Sequence, residues 1–317
     1  MGSPVVGPRL VCPPSRSFEK VARFEAPRKH PLGRSAGGGY CVPPVTGHPE
    51  DDKSPRVLSW EMHGEVEFDR IAPVYDETRR PPSSAELETL SDLLVGCRTV
   101  LDAGVGTGRF AGPLSARGFE IVGVDLSLGM MRRARDKGIS TLVRGDVQHL
   151  PFSNESVDAA FMTHVLQFIA DPRPLLGELG RVARFQVVVQ LPAWFERPPS
   201  SAWRELRERY RELAAELGYP LPERGKRYRH TLDDLSSVAT PRAVRVVSGP
   251  PPTALTTDER FAWWAKHSFG GTGVPPEVHA EIVRRLRGEH SSDPSDRRWP
   301  RESRFVAWDS KELRGRA

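Results

Sequence analysis

The chain has 317 residues, 38% of them hydrophobic, and 46 Lys and Arg against 41 Asp and Glu, a formal charge of +5. That length holds one large domain or two small ones, and so mild an excess is not the dense basic stripe of a nucleic-acid binder. No apolar run approaches the ~20 residues of a membrane span; the first residues lack the apolar core of a secretory signal, and Cys12, Cys41 and Cys97 have neither metal-ligand spacing nor a disulfide framework.

Residues 1–61 carry Pro13-Pro14, Pro43-Pro44 and Gly37-Gly38-Gly39, which break every helical or strand period. Such a stretch buries too little apolar surface to offset its ordering entropy. The expectation is a disordered tail, or sequence upstream of a true start at Met62, with one domain over 62–317. Phe68, Ile71 and Val74 predict an amphipathic cap, and Ser84 to Leu94 a helix with Leu87, Leu90, Leu93 and Leu94 on one face.

The core alternates strand and helix, which predicts a parallel sheet with helices on both faces. Strands are expected at 99–103, 120–124, 140–143, 157–162 and 185–190, and helices near 108–116, 128–137 and 173–183. The first strand ends at Asp102 and runs into Gly104, Gly106 and Gly108. Strand, glycine loop and helix are the geometry that receives a nucleotide-type ligand at the carboxyl edge of a sheet. Asp125 ends the second strand, where an acid can accept both hydroxyls of a ribose. Asp146 follows the third strand. The fourth leads into Thr163-His164-Val165-Leu166, which puts His164 at a strand's carboxyl end.

The spacing D-x-G-x-G-x-G, with an acid closing each of three successive strands, resembles the class I S-adenosylmethionine-dependent methyltransferases, in particular the small-molecule group of ubiquinone and menaquinone biosynthesis. The resemblance covers about residues 68–308 and is strongest over 100–171. It implies a Rossmann-like seven-stranded, mostly parallel sheet whose seventh strand is antiparallel, with helices on both faces and helical lid insertions at about 198–238 and 249–290. It also implies S-adenosyl-L-methionine as cofactor, held by Asp102, Gly104, Gly106, Gly108, Asp125, Leu126, Asp146, Val147 and Tyr75. Asp146 and the Val147 backbone would read the adenine; otherwise Asp146 caps a turn. The segment around Tyr75 and Arg79 would lie over the methionine end. One departure is visible: the Pro-Gly-Gly turn usual in the family before the fifth strand is replaced by Val182-Ala183-Arg184-Phe185, which predicts a tight connection.

Beyond the fifth strand, Trp203, Leu206, Tyr210, Leu213 and Leu217 form one apolar stripe on a helix that Gly218 closes. Its charged face offers Glu205 with Arg209 as a pair. A sixth strand is expected over 243–247, a capping box at Thr256 to Glu259, and a last strand over 304–308. The helix after that box carries Phe261, Trp263, Trp264 and His267, with Phe269, Gly270 and Gly271 beyond it. This is the expected lid that selects the acceptor.

Methyl transfer from a sulfonium needs alignment and exclusion of water more than it needs a base. The catalytic signature is correspondingly thin: His164 and Tyr75 are the candidate proton handlers, with His267 behind them. The expected partner is a small-molecule acceptor, with no nucleic acid, no membrane span and no metal, in a reducing cytoplasm. The alternatives are a non-catalytic S-adenosylmethionine-binding regulator and an NAD-type oxidoreductase. The second is disfavoured because the third glycine comes one residue early for G-x-G-x-x-G.

Overall fold

The computed structural model describes residues 68–77, 79, 81–192, 201–221, 228–249, 256–266, 274–290 and 301–315. The expected tail, 1–61, lies outside them. Strands β1 (Thr99–Ala103), β2 (Glu120–Asp125), β3 (Thr141–Arg144), β4 (Val157–Met162), β5 (Ala183–Pro192), β6 (Ala243–Gly249) and β7 (Arg301–Asp309) form one sheet in the order β3-β2-β1-β4-β5-β7-β6. The first five are parallel, and β7 runs antiparallel to both β5 and β6. The order reverses at β1, so a crevice opens at the carboxyl ends of β1 and its neighbours.

Burial explains the strand composition. Every residue of β1 and of β4 is buried, as expected of central strands covered on both faces. Helices α2 (Ser84–Leu93), α3 (Ala111–Ser115) and α4 (Leu128–Asp136) cover one face through Leu90, Leu114 and Met131. Helices α5 (Pro172–Val182), α7 (Leu232–Val238) and α10 (Ser310–Leu313) cover the other through Leu176, Leu235 and Leu313. The sequence predicts a helix over 108–116, but α3 starts only at Ala111. Gly108 has φ +75°, outside the right-handed helical region.

The connection before β5 is as tight as its sequence predicts: α5 ends at Val182 and β5 begins at Ala183. The chain therefore has no turn residues to satisfy the carbonyls at this junction. Arg314, distant in sequence, does so. Its guanidinium donates to the carbonyls of Gly180 at 3.0 Å, Ala183 at 3.0 Å and Arg184 at 3.1 Å.

The two insertions meet. Helices α6 (Ser201–Glu216), α8 (Thr257–Lys266) and α9 (Pro276–Glu289) share a core of their own, built on Leu206, Tyr210, Leu213, Phe261, Ile282 and Leu286. The Tyr210 hydroxyl lies 2.7 Å from His279 Nδ1 within it. Leu206, Tyr210, Leu213 and Leu217 of the α6 stripe thus pack with α8 and α9 in a cluster apart from those on the sheet. Arg209 pairs with Glu212, Glu216 and Glu289 instead of Glu205, because α9 brings Glu289 to the same side. The Thr256–Glu259 capping box forms, with the Glu259 N–H donating to Thr256 Oγ1 at 3.2 Å. The side chains of Trp263 and Trp264, together with His267, Phe269, Gly270 and Gly271, lie outside the described residues. Among the described residues no helix is long and apolar enough to cross a membrane.

Candidate active site

The glycine loop carries the chain from β1 into the crevice with left-handed backbone at Gly104 (φ +85°) and Gly106 (φ +53°). The Gly104 and Val105 N–H groups both donate to the Val124 carbonyl, at 2.8 and 2.9 Å, which ties the loop to β2. A Cβ on Gly104 would fall 2.2 Å from Val165 Cγ2, whereas one on Gly106 would meet no heavy atom within 4 Å. Gly104 is a packing requirement. At Gly106 a side chain would instead fill open space over the loop.

Asp102 and Asp125 flank that loop on adjacent strands. Asp102 is 2% exposed and its Oδ1 has no hydrogen-bond partner. Burial, with the nearby Asp125 charge second, raises its pKa well above the usual carboxylate range. Asp125 accepts the Gly106 N–H on Oδ2 at 2.8 Å and the Ser127 N–H on Oδ1 at 2.9 Å. Burial raises its pKa too, and those backbone donors oppose the rise. One carboxylate is thus oriented by the backbone and the other is left a spare acceptor.

Leu126, next to Asp125, is 39% exposed, and its carbonyl accepts from Arg144 Nε at 3.1 Å. Asp146 accepts the Gln148 N–H on Oδ1 at 2.9 Å, with His149 Nδ1 3.7 Å from Oδ2, so it caps its own turn. The Val147 side chain is buried in the core beside β2.

A strap over residues 68–77 spans the crevice. It contains α1 (Phe68–Ile71) and one 3-10 turn, Ala72–Val74. Asp69 Oδ1 accepts from Ser127 Oγ at 2.7 Å and from the Gly129 N–H at 2.5 Å, beyond β2. Asp76 accepts from Thr107 Oγ1 in the glycine loop and from Lys137 Nζ, each at 2.6 Å. The Phe68 ring meets Phe168, beyond β4, edge-on at 5.6 Å between centroids. Ile71 is buried and Phe68 packs beside it, but Val74 is 37% exposed; the 3-10 turn shifts the helical period. Tyr75 is half-buried, with the Arg79 guanidinium 5.1 Å from its ring centre. Sequence reasoning missed Asp69, Asp76, Thr107 and Lys137. Their partners lie 30 to 61 residues away, and no local pattern announces such pairs.

His164 has φ +59°, a conformation that costs a β-carbon residue energy and clusters at functional sites. Its ring centre lies 6.3 Å from that of Phe110. Burial, and next the Arg109 charge, lower its pKa to about 4, so the imidazole is uncharged at neutral pH.

Residues 101–187, which contain Asp102, the glycine loop, Asp125, Asp146 and His164, match the family model for the methyltransferase domain. This stretch is a methyltransferase domain. The demethylmenaquinone methyltransferase of Paenarthrobacter aurescens is 30% identical over 152 residues, which cover 45% of this chain and 59% of that protein. The malonyl-[acyl-carrier protein] O-methyltransferase of Yersinia pestis is 36% identical over 86 residues, 27% of this chain and 32% of that one. A solved structure of a methyltransferase from Thermotoga maritima, a possible histamine N-methyltransferase, shares 20% identity over 77% of this chain and 98% of its own, with a TM-score of 0.45. The chain spans about half the length of several curated relatives it matches. The sequence resemblance implies S-adenosylmethionine as the cofactor of such a domain. The crevice fits it: a buried carboxylate oxygen in need of a donor, an unobstructed glycine, and a second carboxylate oriented on the next strand.

Proposed function

We propose that this chain transfers the methyl group of S-adenosylmethionine to a small-molecule acceptor. The observation that carries the reading is the unpartnered Asp102 Oδ1 beside the glycine loop. A buried carboxylate oxygen without a donor is costly, and an amino-acid ammonium group satisfies it. Asp125, already held by two backbone donors, keeps lone pairs for the ribose hydroxyls. Leu126 presents an exposed apolar side chain to an adenine face. Asp146 Oδ2 and the Val147 N–H would read the adenine edge, with Asp146 still capping its turn through Oδ1. Tyr75, carried by the strap, would cover the methionine end.

When bound, the cofactor supplies a methyl group already activated on a sulfonium. What remains for the protein is to align donor and acceptor and to exclude water. The strap covers one side of the crevice, and we assign acceptor selection to the cap of α6, α8 and α9. His164, uncharged at neutral pH though a weakened base, is the first candidate to accept a proton from an acceptor hydroxyl or carbon, with Tyr75 as the second. The buried thiol of Cys97 and the small number of cysteines support a reducing, cytoplasmic setting.

The test is calorimetric. Asp125→Ala removes a charge-assisted ribose contact and should weaken S-adenosylmethionine by ten- to a hundredfold, about 1.5–3 kcal/mol. Unchanged affinity would refute the assignment. A screen of metabolite pools for cofactor-dependent gain of one methyl group identifies the acceptor.

A further inference from the structure

Among the described residues, three buried carboxyl or amide oxygens have no hydrogen-bond partner: Asp102 Oδ1, Gln167 Oε1 and Gln190 Oε1. Their residues are 2%, 9% and 1% exposed. All three lie toward the same edge. Asp102 is near the carboxyl end of β1 and Gln190 near that of β5, while Gln167 lies in the turn after β4; β1, β4 and β5 are consecutive in the sheet. Native interiors rarely leave such groups unsatisfied, and here every such carboxyl or amide oxygen belongs to a residue near the edge where this fold receives its ligands.

The orientation of the Gln190 amide follows from its neighbours. Its Nε2 donates to Ser303 Oγ at 3.2 Å and to Glu86 Oε1 at 3.4 Å, and Ser303 Oγ donates to Glu86 Oε1 at 2.7 Å. A flipped amide would point its carbonyl at the Glu86 carboxylate, so the carbonyl turns away from Glu86. Glu86 is within electrostatic reach of both His164 and Arg109, which sets this cluster beside the crevice. Gln167 is anchored through its backbone carbonyl, which accepts the Tyr228 N–H at 2.9 Å.

With Asp102 assigned to the cofactor, two acceptor oxygens remain on the β4–β5 side. We propose that Gln167 and Gln190 form a hydrogen-bond-accepting subsite for the methyl acceptor, which therefore carries an O–H or N–H donor. This rests on the methyltransferase reading. A wholly apolar acceptor would leave both carbonyls unpaired, and sites built to pair a donor discriminate strongly against analogues that lack one.

Phenol and toluene differ by O–H against CH3 at similar size. Each is titrated into the full chain saturated with S-adenosylhomocysteine. Phenol should bind at least tenfold tighter than toluene. Gln190→Leu and Gln167→Leu should each cut that ratio severalfold while leaving S-adenosylhomocysteine affinity unchanged. If Gln190→Leu does not fold, the wild-type ratio and Gln167→Leu decide. Toluene binding as well as phenol, no phenol binding at millimolar concentration, or a ratio that survives in the folded variants overturns the subsite. Failure of S-adenosylhomocysteine to bind the wild-type chain overturns the methyltransferase reading, and the subsite with it.

Discussion

Asp102 ends a strand buried along its whole length, and that burial gives its charge a pH-dependent cost. The fold binds the Asp102 proton more tightly than the unfolded chain does. Its contribution to the ligand-free fold therefore falls as pH rises from the ordinary carboxylate pKa of 3.8, and stays lost above the raised one. A cofactor ammonium beside Oδ1 favours the ionised form, so binding releases the proton. Affinity for S-adenosylhomocysteine should then rise with pH below the Asp102 pKa, by up to tenfold per unit for one proton. His164 is uncharged above about pH 4 and does not contribute at higher pH. Asp102→Asn should bind weakly with a flat pH profile; a flat profile in the wild-type chain would contradict the assignment. The acids at the strand ends were legible in sequence because each follows an apolar run. Which oxygen is spare was not, since that depends on the donors from Gly106 and Ser127.

At the scale of elements, the α5–β5 junction shows how a missing turn is tolerated. Its carbonyls are satisfied by Arg314, more than 130 residues away in sequence, while Ser310 Oγ donates to the Arg184 carbonyl at 2.8 Å. Arg314→Ala removes this donor from the Gly180 and Ala183 carbonyls, while Ser310 still serves that of Arg184, and should cost about 1–3 kcal/mol. For a domain of this size that is a fall of roughly 2–10 °C in Tm, readable by calorimetry with cofactor affinity retained. No loss would mean that water replaces the guanidinium without penalty. The tight connection was visible in the absent glycines, but its remedy belongs to another end of the chain. The strap follows the same logic. Its apolar positions were legible, whereas Asp69 and Asp76 acquire their role only when α4 and the glycine loop stand opposite them.

For the molecule as a whole, the cap of α6, α8 and α9 has a hydrophobic cluster separate from the two that flank the sheet. Leu213, 1% exposed, belongs to it. Leu213→Ala should loosen the cap by ~2–4 kcal/mol. Once an acceptor is known, the Michaelis constant for it should rise while cofactor affinity holds. A joint loss of both would show that the cap also braces the cofactor crevice. A chain beginning at Met62 should match the full chain in Tm and cofactor affinity; a fall of many degrees would show that residues 1–61 pack on the domain.

The sequence by itself determined the strand–helix alternation, the glycine loop after the first strand and the three acids that close or follow successive strands. These are set by local periodicity, backbone sterics and the burial of central strands, all written within a few residues. Only the tertiary structure decided that α6 belongs with α8 and α9, that Arg209 reaches Glu289, that a strap is tied down by Asp69 and Asp76, and that Gln167 and Gln190, near one edge of the sheet, each bury an oxygen without a partner. An amphipathic helix encodes which face is apolar but not what covers it, and a polar side chain encodes what it can bond but not which donor arrives.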